Sequence, residues 1–242
     1  MGQRGGRSAR GQGPSPDELT IVIPTLNEAE AIGHVIDELR ALGYTNLLVV
    51  DGRSTDGTPE VAKRKGARVI FQEGAGKADA IRTAMRHVET PYVLVMDGDL
   101  TYDPSFIGEL LELAKRTGAG EVIGARLWGR ENIPLLNRLG NWLITITFNL
   151  LFGTKLRDVC SGMWLARTEV LKRVPYESKG FSIEVEVAAS VLSTSGHVLE
   201  LPIRYRPRLG RAKLKPFHGF LILLTILRMG LKWRLRKILG RS

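Results

Sequence analysis

Two aspartates separated by one glycine follow a short apolar run near the middle of the chain. Asp97 and Asp99 come directly after residues 93–96 (VLVM), which are typical of a fully buried strand. Carboxylates at the end of a buried strand are costly unless a positive charge neutralises them, and a divalent cation bound through oxygen would do so. The pattern predicts a metal-assisted site for a phosphate-bearing substrate. A surface turn is the alternative, because Asp-Gly is also a common turn dipeptide.

The composition is that of a globular chain with few cysteines. The 242 residues are 43% hydrophobic, which is enough for one large α/β domain or two small ones. Cys160 is the single cysteine, so a disulfide framework and a cysteine-based metal site are excluded, and a reducing compartment is favoured. Residues 1–17 are predicted to be a disordered basic tail without the apolar core of a signal peptide.

Positive charge is concentrated at the C-terminal end. Residues 201–242 hold twelve Lys and Arg and no Asp or Glu, so with a net charge of +10 the first 200 residues sum to −2. Such asymmetry predicts an anionic partner, which could be a nucleic acid, an anionic lipid or the phosphates of a substrate.

Strands and helices are predicted to alternate through the first half of the chain. Segments 19–24, 46–50, 68–71, 93–96 and 121–124 are predicted to be strands, with helical spacing between them. This alternation predicts βαβ units and a parallel sheet, whose ligands collect beyond the carboxyl ends of the strands. The absence of G-x-G-x-x-G, Walker A and G-x-S-x-G motifs excludes an ordinary dinucleotide enzyme, P-loop NTPase or α/β-hydrolase.

The second half is predicted to be mainly helical. Helices are expected at 133–153, 169–174, 181–193 and 216–239, a loop at 158–166 and an antiparallel-type strand at 197–205. The last helix has leucines at helical spacing, basic residues largely on its other side, and Trp233, a pattern typical of the membrane interface. A helix docked on the core with a solvated basic face is the alternative.

Four segments, in their order and spacing, resemble the inverting family 2 glycosyltransferases with the GT-A fold. They are VIPTLNE at 22–28, VVDGRSTDGT at 49–58, GKADAIRTAM at 76–85 and MDGDLTYDP at 96–104. The chain is similar to polyprenyl-phosphate (dolichyl-phosphate) sugar synthases, especially archaeal ones. The resemblance implies an α/β, Rossmann-like GT-A fold with a mostly parallel central sheet flanked by helices. It implies a nucleotide-binding half at 18–126, an acceptor half at 127–215, and a basic amphipathic membrane-associating helix at 216–242.

The resemblance also implies a donor site and a metal site. Asp97 and Asp99 match the D-x-D motif of the family, which would hold Mg²⁺ or Mn²⁺ against the diphosphate of a UDP- or GDP-linked sugar. Gly52 stands where the family often has a second acid, and Thr101 where some members have a metal-binding glutamine. The donor-binding residues implied are Pro24, Thr25, Asn27, Glu28, Asp51, Lys77, Asp97 and Lys213.

An acceptor site is implied in the second half. Arg126, Arg138 and Ser161 would bind the acceptor phosphate, which a guanidinium grips in a fork, although Arg138 could instead extend to lipid headgroups. Asp158 joins Asp97 and Asp99 as a catalytic candidate. Because the acceptor phosphate is already ionised at neutral pH, Asp158 would orient the acceptor or metal rather than remove a proton. Glu184 and Glu186 resemble a further acidic pair, whose participation the sequence leaves open.

The function implied is that of a peripheral enzyme at the cytoplasmic face of the cell membrane. It would move a hexose or N-acetylhexosamine to dolichyl or polyprenyl phosphate, for protein N-glycosylation or related glycan assembly. One alternative is a family 2 enzyme with another glycan or lipid acceptor. The other is a non-catalytic, basic nucleic-acid-binding or scaffold protein. No nucleic acid is expected, because that alternative leaves the strand-end acids Asp51, Asp97 and Asp99 unexplained.

Overall fold

A single seven-stranded sheet forms the centre of the molecule. The structure, a computed structural model, describes residues 15–177, 182–194, 196–210 and 216–238, and of residues 216–218 and 236–238 only the backbone. The strands are β1 (Leu19–Thr25), β2 (Leu47–Asp51), β3 (Arg68–Phe71), β4 (Tyr92–Val95), β5 (Glu121–Trp128), β6 (Trp164–Arg167) and β7 (Val198–Arg204). Their order across the sheet is β3-β2-β1-β4-β6-β5-β7.

Helices cover both faces of this sheet. They are α1 (Ala29–Ala41), α2 (Thr58–Arg64), α3 (Lys77–Ala84), α4 (Ile107–Thr117), α5 (Leu135–Phe152), α6 (Thr168–Leu171), α7 (Ile183–Thr194) and α8 (Pro216–Ile238). Single 3-10 turns lie at Pro104–Phe106 and Arg130–Asn132. The predicted α/β architecture with flanking helices is confirmed.

The sheet is mostly parallel, as predicted. Strand β1 runs parallel to β2 and β4, β2 parallel to β3, and β5 parallel to β7. Strand β6 is antiparallel to both neighbours, β4 and β5. The parallel pairs follow from crossover connections through helices, which return the chain to the edge at which each strand began.

Two predictions for the second half were wrong. Residues 164–166 were expected within a loop, yet they begin β6 in the middle of the sheet, with Trp164 and Leu165 fully buried on opposite faces. The strand at 197–205 was expected to be antiparallel, yet β7 runs parallel to its partner β5. Strand β7 runs opposite to β6, as a hairpin partner would, but α6 and α7 carry the chain past β6, and β7 pairs with β5, which is itself antiparallel to β6.

Alternating strand residues separate the core into two clusters. Along β1, Ile21 and Ile23 face one side of the sheet, where α1, α2 and α4 pack, whereas Val22 faces the other side, where α3, α5, α7 and α8 contribute. Helices α5 and α8 pack closely, since a Cβ at Gly230 would lie 2.8 Å from the Leu151 side chain.

Large apolar side chains remain exposed on α5 and α8, and we call them the α5–α8 apolar surface. They are Leu135, Leu136, Leu139, Trp142, Leu143 and Leu150 on α5, and Phe220, Leu221, Leu224, Leu227, Leu231 and Leu235 on α8. Within the described ranges, no helix combines the length and the apolar character needed to cross a bilayer.

Candidate active site

The carboxyl ends of β1 and β2 bring the first candidate residues together. Their parallel register places Thr25 beside Asp51, and the Thr25 hydroxyl donates to Asp51 Oδ2 over 2.9 Å. The fully buried Asp51 also accepts hydrogen bonds from the backbone N–H (2.7 Å) and hydroxyl (2.6 Å) of Ser54. Three donors therefore compensate the cost of burying this carboxylate.

The loops that follow these two strands are tied to each other. Asn27, at φ 52°, donates its backbone N–H to Ser54 Oγ (2.7 Å) and accepts from the Thr55 N–H (2.9 Å). The Glu28 N–H donates to Thr58 Oγ1 over 2.8 Å. The structure thus gathers Pro24, Thr25, Asn27, Glu28 and Asp51 at one edge of the sheet. Their part in binding a donor stays a prediction.

Asp97 lies just beyond β4, where the ammonium of Lys77 reaches it. Lys77 begins α3, and its Nζ is 2.6 Å from Asp97 Oδ1 and 2.6 Å from Glu184 Oε1 at the start of α7. Burial by itself lowers the pKa of Lys77, but the two carboxylates overcome this effect and hold the pKa above its ordinary value. A Cβ at Gly162 would collide with Asp97 Oδ2, so a larger residue there would have to displace the Asp97 carboxylate.

Asp99 is buried and is held by a second cation. Leu100 turns the chain at φ 67°, and the Thr101 hydroxyl then donates back to Asp99 Oδ1 over 2.5 Å. The guanidinium of Arg208, in the loop after β7, pairs with Asp99 Oδ2. Burial raises the pKa of Asp99, and the charge of Asp97 raises it further, against the opposing effects of Arg208 and Thr101.

The two aspartates suit a divalent cation held mainly by its substrate. Each already carries one protein cation, Lys77 on Asp97 and Arg208 on Asp99. In the described part of the chain, no group of three or more His, Cys, Asp or Glu side chains forms a metal cage. Two carboxylates fit Mg²⁺ or Mn²⁺ sites in which diphosphate oxygens and water complete the coordination.

Arg126 and Asp158 form a buried ion pair near Asp97, since the charges of Arg126 and Asp97 both affect the pKa of Tyr102. Arg126 Nε and Nη2 donate to Asp158 Oδ2 (2.7 Å) and Oδ1 (2.8 Å), and the Arg126 backbone N–H donates to Oδ2 (3.0 Å). Burial raises the pKa of Asp158, but the Arg126 guanidinium outweighs burial and keeps the pKa below its ordinary value. The Arg126 guanidinium also lies 5.4 Å from the centre of the Tyr205 ring. Asp158 is thus an ionised carboxylate directed at Arg126, and its part in orienting an acceptor or a metal stays a prediction.

The segment that carries Asp158 is fixed by its neighbours. The Glu200 carboxylate on β7 accepts the backbone N–H groups of Arg157 and Asp158, each over 2.8 Å. The Ser161 hydroxyl is fully buried and donates to the Gly124 carbonyl over 2.6 Å. The predicted contact of Ser161 with an acceptor phosphate stays a prediction.

Two predicted residues lie apart from this cluster. Arg138 is exposed on the first turns of α5, and no described residue forms an ion pair or side-chain hydrogen bond with it. Lys213 falls outside the described residues. Their assigned roles stay predictions.

Sequence reasoning did not assign Arg208 or Glu200, and it left Glu184 open. The glycine-containing basic stretch after β7, RPRLGR at 206–211, is the signal that indicates Arg208. Glu184 and Glu200 act through contacts with residues 107 and 42 positions away in the chain, Lys77 and Asp158. No local pattern encodes contacts of that range.

The family is established by comparison with known sequences. The model described as Glycosyl transferase family 2 matches residues 20–174, well over half of the chain. The chain belongs to glycosyltransferase family 2. This match contains Asp51, Lys77, Asp97, Asp99 and Asp158, so the cluster described above is the candidate active site of a family 2 glycosyltransferase.

Two relatives of this family 2 glycosyltransferase come from the archaeon Haloferax volcanii. Glycosyltransferase AglJ is 39% identical over 198 residues, which cover 81% of this chain and 65% of AglJ. The chain therefore spans slightly less than two thirds of that relative. A dolichyl-phosphate hexose transferase is 36% identical over 207 residues, which cover 84% of this chain and 89% of that protein.

Solved structures support the fold of this family 2 glycosyltransferase. Glucosyl-3-phosphoglycerate synthase from Mycobacterium tuberculosis, in complex with UDP, matches with a TM-score of 0.72 at 23% identity, covering 90% of this chain and 80% of that one. The same enzyme in complex with Mn²⁺, UDP and glucosyl-3-phosphoglycerate matches with a TM-score of 0.70 at 22% identity. At this identity the likeness concerns the fold, which is of the GT-A type as predicted.

Proposed function

We propose that the protein transfers a hexose from a UDP- or GDP-linked sugar to dolichyl or polyprenyl phosphate. The observation that carries the proposal is the pairing of Asp97 with Lys77 and of Asp99 with Arg208, just beyond the carboxyl end of β4. Two acids able to hold a divalent cation, beside two basic groups, suit the binding of a diphosphate and of the charge that develops on it. The relative named dolichyl-phosphate hexose transferase supports this class of acceptor.

The chemistry is an in-line displacement at the anomeric carbon. An oxygen of the acceptor phosphate forms the new bond to that carbon while the bond to the diphosphate breaks, and its electron pair leaves with the nucleoside diphosphate. Asp97 and Asp99 would hold Mg²⁺ or Mn²⁺, which as a Lewis acid stabilises the leaving group. Lys77 and Arg208 add positive charge on either side. Asp158, bound to Arg126, positions the arginine, and no general base is required.

In this proposal the acceptor phosphate binds next to Arg126, and Arg138 lies further out on α5. Of the two guanidiniums, that of Arg126 is already engaged by Asp158, so it offers the acceptor a pre-oriented donor rather than a mobile one. Arg138 is exposed next to the α5–α8 apolar surface, a suitable place for a phosphate carried by a lipid.

We further propose that the protein acts as a peripheral protein at the cytoplasmic face of the membrane. The α5–α8 apolar surface offers leucine and aromatic side chains to the headgroup region, and α8 adds basic residues that favour anionic lipids. This arrangement would bring the candidate active site to a lipid acceptor while the protein stays on one side of the bilayer.

The test is a transfer assay with defined substrates. Purified protein is incubated with a panel of UDP- and GDP-sugars, dolichyl phosphate and Mg²⁺ or Mn²⁺, and lipid-linked sugar is measured by mass spectrometry. We expect one nucleotide sugar to give a lipid product, and the Asp99→Asn protein to give none above background. Transfer to a glycan or to diacylglycerol instead would establish the alternative family 2 acceptor. Salt-sensitive DNA binding without nucleotide-sugar binding would overturn the enzymatic proposal.

A further inference from the structure

Lys77 is shared between two carboxylates that reach it from different elements. Its Nζ is equally distant, at 2.6 Å, from Asp97 after β4 and from Glu184 on α7. An ammonium has three N–H donors and can satisfy both acceptors at once. The three side chains thus form a row of alternating charges, with the Lys77 ammonium between the two carboxylates.

The carboxylates of Asp97 and Glu184 differ in their exposure to solvent. The Asp97 side chain is 29% exposed, whereas that of Glu184 is 9% exposed and is covered by the core around α7. Asp97 can therefore ligate a cation that arrives from solvent, and Glu184 is the less accessible partner. An ammonium so close to Asp97 competes with that cation, because two positive charges would share one carboxylate.

We propose that Glu184 is a positioning residue that retains Lys77 when Asp97 binds the divalent cation. This inference rests on the proposed function, since it assumes that Asp97 is a metal ligand. Glu184 holds the Lys77 ammonium where it can approach the donor diphosphate. At the same time, this contact frees an oxygen of Asp97 for the cation. Without Glu184, the ammonium of Lys77 keeps only Asp97 of these two partners. It then occupies the carboxylate that the cation needs.

The proposal makes a prediction about metal binding in the absence of any substrate. The full-length protein is titrated with Mn²⁺, and free Mn²⁺ is followed by electron paramagnetic resonance. Glu184→Gln should weaken Mn²⁺ binding by about fivefold or more, the lower end of the coupling seen between linked sites. Lys77→Met should strengthen Mn²⁺ binding, because it removes the competitor.

The double variant separates this mechanism from a simple loss of negative charge. In the Lys77→Met background, Glu184→Gln should change Mn²⁺ affinity by less than about twofold, because no ammonium remains to be retained. Equal weakening in both backgrounds would mean that Glu184 acts only through its charge and would overturn the proposal. Glu186→Gln is the matched control, a buried acid on the same helix that accepts the Glu177 N–H instead, and it should leave Mn²⁺ affinity unchanged.

Two further measurements test the role of Glu184. If Glu184→Gln lowers the thermal unfolding temperature, Glu184→Asp replaces it, because the shorter acid keeps the charge but withdraws it from Lys77, and the same weakening is expected. A wild-type protein that binds no Mn²⁺ with or without UDP would overturn both the metal site and this inference. Mn²⁺ effects of the expected sign in a protein that makes no lipid-linked sugar would retain the inference and reject the proposed acceptor.

Discussion

Arg126 and Asp158 face each other with two parallel hydrogen bonds, Nε to Oδ2 at 2.7 Å and Nη2 to Oδ1 at 2.8 Å. Both side chains are buried, and the Arg126 backbone N–H contributes a third bond to the same carboxylate. The pair joins β5 to the segment before β6, which are 32 residues apart in sequence. Loss of either partner would leave an uncompensated buried charge.

The first prediction concerns the stability of this pair. Asp158→Asn should lower the free energy of unfolding at pH 7 by about 3–5 kcal/mol, measured by urea unfolding. The folded pKa of Asp158 lies below its ordinary 3.8, so its contribution is present above that value and is lost as pH falls through the folded pKa. The difference between wild type and variant should therefore narrow at low pH. Asp37→Asn, which breaks the exposed pair with Lys65, should cost about 1 kcal/mol or less.

The second prediction concerns the metal. Asp97→Asn and Asp99→Asn should each reduce turnover by a factor of about 100 or more, because each removes a charge that stabilises the leaving diphosphate through the cation. Circular dichroism should show an intact fold. Full activity of either variant, or of the wild type in EDTA, would contradict the predicted metal site.

The third prediction concerns the acceptor. Arg138→Lys keeps the charge but loses the forked guanidinium, so the KM for dolichyl phosphate should rise several-fold while the KM for the nucleotide sugar changes little. Arg116→Lys, an exposed arginine in the last turn of α4, is the matched control. An unchanged acceptor KM for Arg138→Ala would show that this side chain only extends to the headgroups.

The fourth prediction concerns Glu121, the first residue of β5. Its side chain is buried, and its Oε2 has no hydrogen-bond partner in the described structure. Burial raises the pKa of Glu121 well above its ordinary value, and the charge of Glu184 raises it further. A raised carboxyl pKa contributes stability that is present below the unfolded pKa and is lost as pH rises through the folded pKa.

Glu121→Gln should therefore flatten the decline in stability with rising pH. For each pH unit between the unfolded pKa, near the ordinary 4.5, and the raised folded pKa, the wild type loses about 1.4 kcal/mol that the variant does not lose. Urea unfolding between about pH 4 and 8 measures the difference. The exposed Glu109→Gln should leave the wild-type profile unchanged, and an identical slope for Glu121→Gln would refute the prediction.

The fifth prediction concerns the membrane. The exposed Leu231 and Leu235 on α8 are replaced together by glutamine, which removes apolar area without touching the core. Sedimentation with vesicles that contain anionic lipid should fall, as should activity on long-chain dolichyl phosphate, whereas nucleotide-sugar binding should persist. Binding of the wild type should weaken but not vanish at high salt, because basic residues supply a screened part of the affinity.

The control for the membrane prediction is Leu42→Gln, an exposed leucine after α1 that lies outside the α5–α8 apolar surface. It should sediment like the wild type. A truncation after Thr225 removes the rest of α8 and should also reduce vesicle binding. Unchanged sedimentation of both the double variant and the truncated protein would show that α8 does not mediate membrane binding.

The first half of the fold was predictable because its signals are local. Each strand from β1 to β5 contains a short apolar run, Asp51 is the last residue of β2, and Asp97 lies two residues after β4. Strand β6 was missed because its four residues directly follow glycine- and serine-containing turn signals and directly precede a helix. The pairing of β7 with β5 rather than with β6 depends on the path of α6 and α7 around the sheet, which no short segment records.

The sequence supplies candidate residues for the site but not their ion pairs. Arg126 was assigned to the acceptor phosphate and Asp158 to the catalytic candidates, yet their mutual ion pair arises only when β5 and the segment before β6 meet. Lys77 was assigned to the donor, but its contact with Glu184 requires α3 and α7 to converge. Long-range charge pairs of this kind follow from the tertiary arrangement rather than from spacing.

Strand β7 lies at one edge of the sheet and contributes to the positions of both Asp158 and Asp99. Glu200 on this strand anchors the backbone at Asp158, and the loop that follows it carries Arg208 to Asp99. A one-residue change in the register of β7 would move both contacts together, because side chains alternate along a strand. Variants that test the proposed acceptor site should therefore keep this strand intact and exchange exposed side chains of α5 instead.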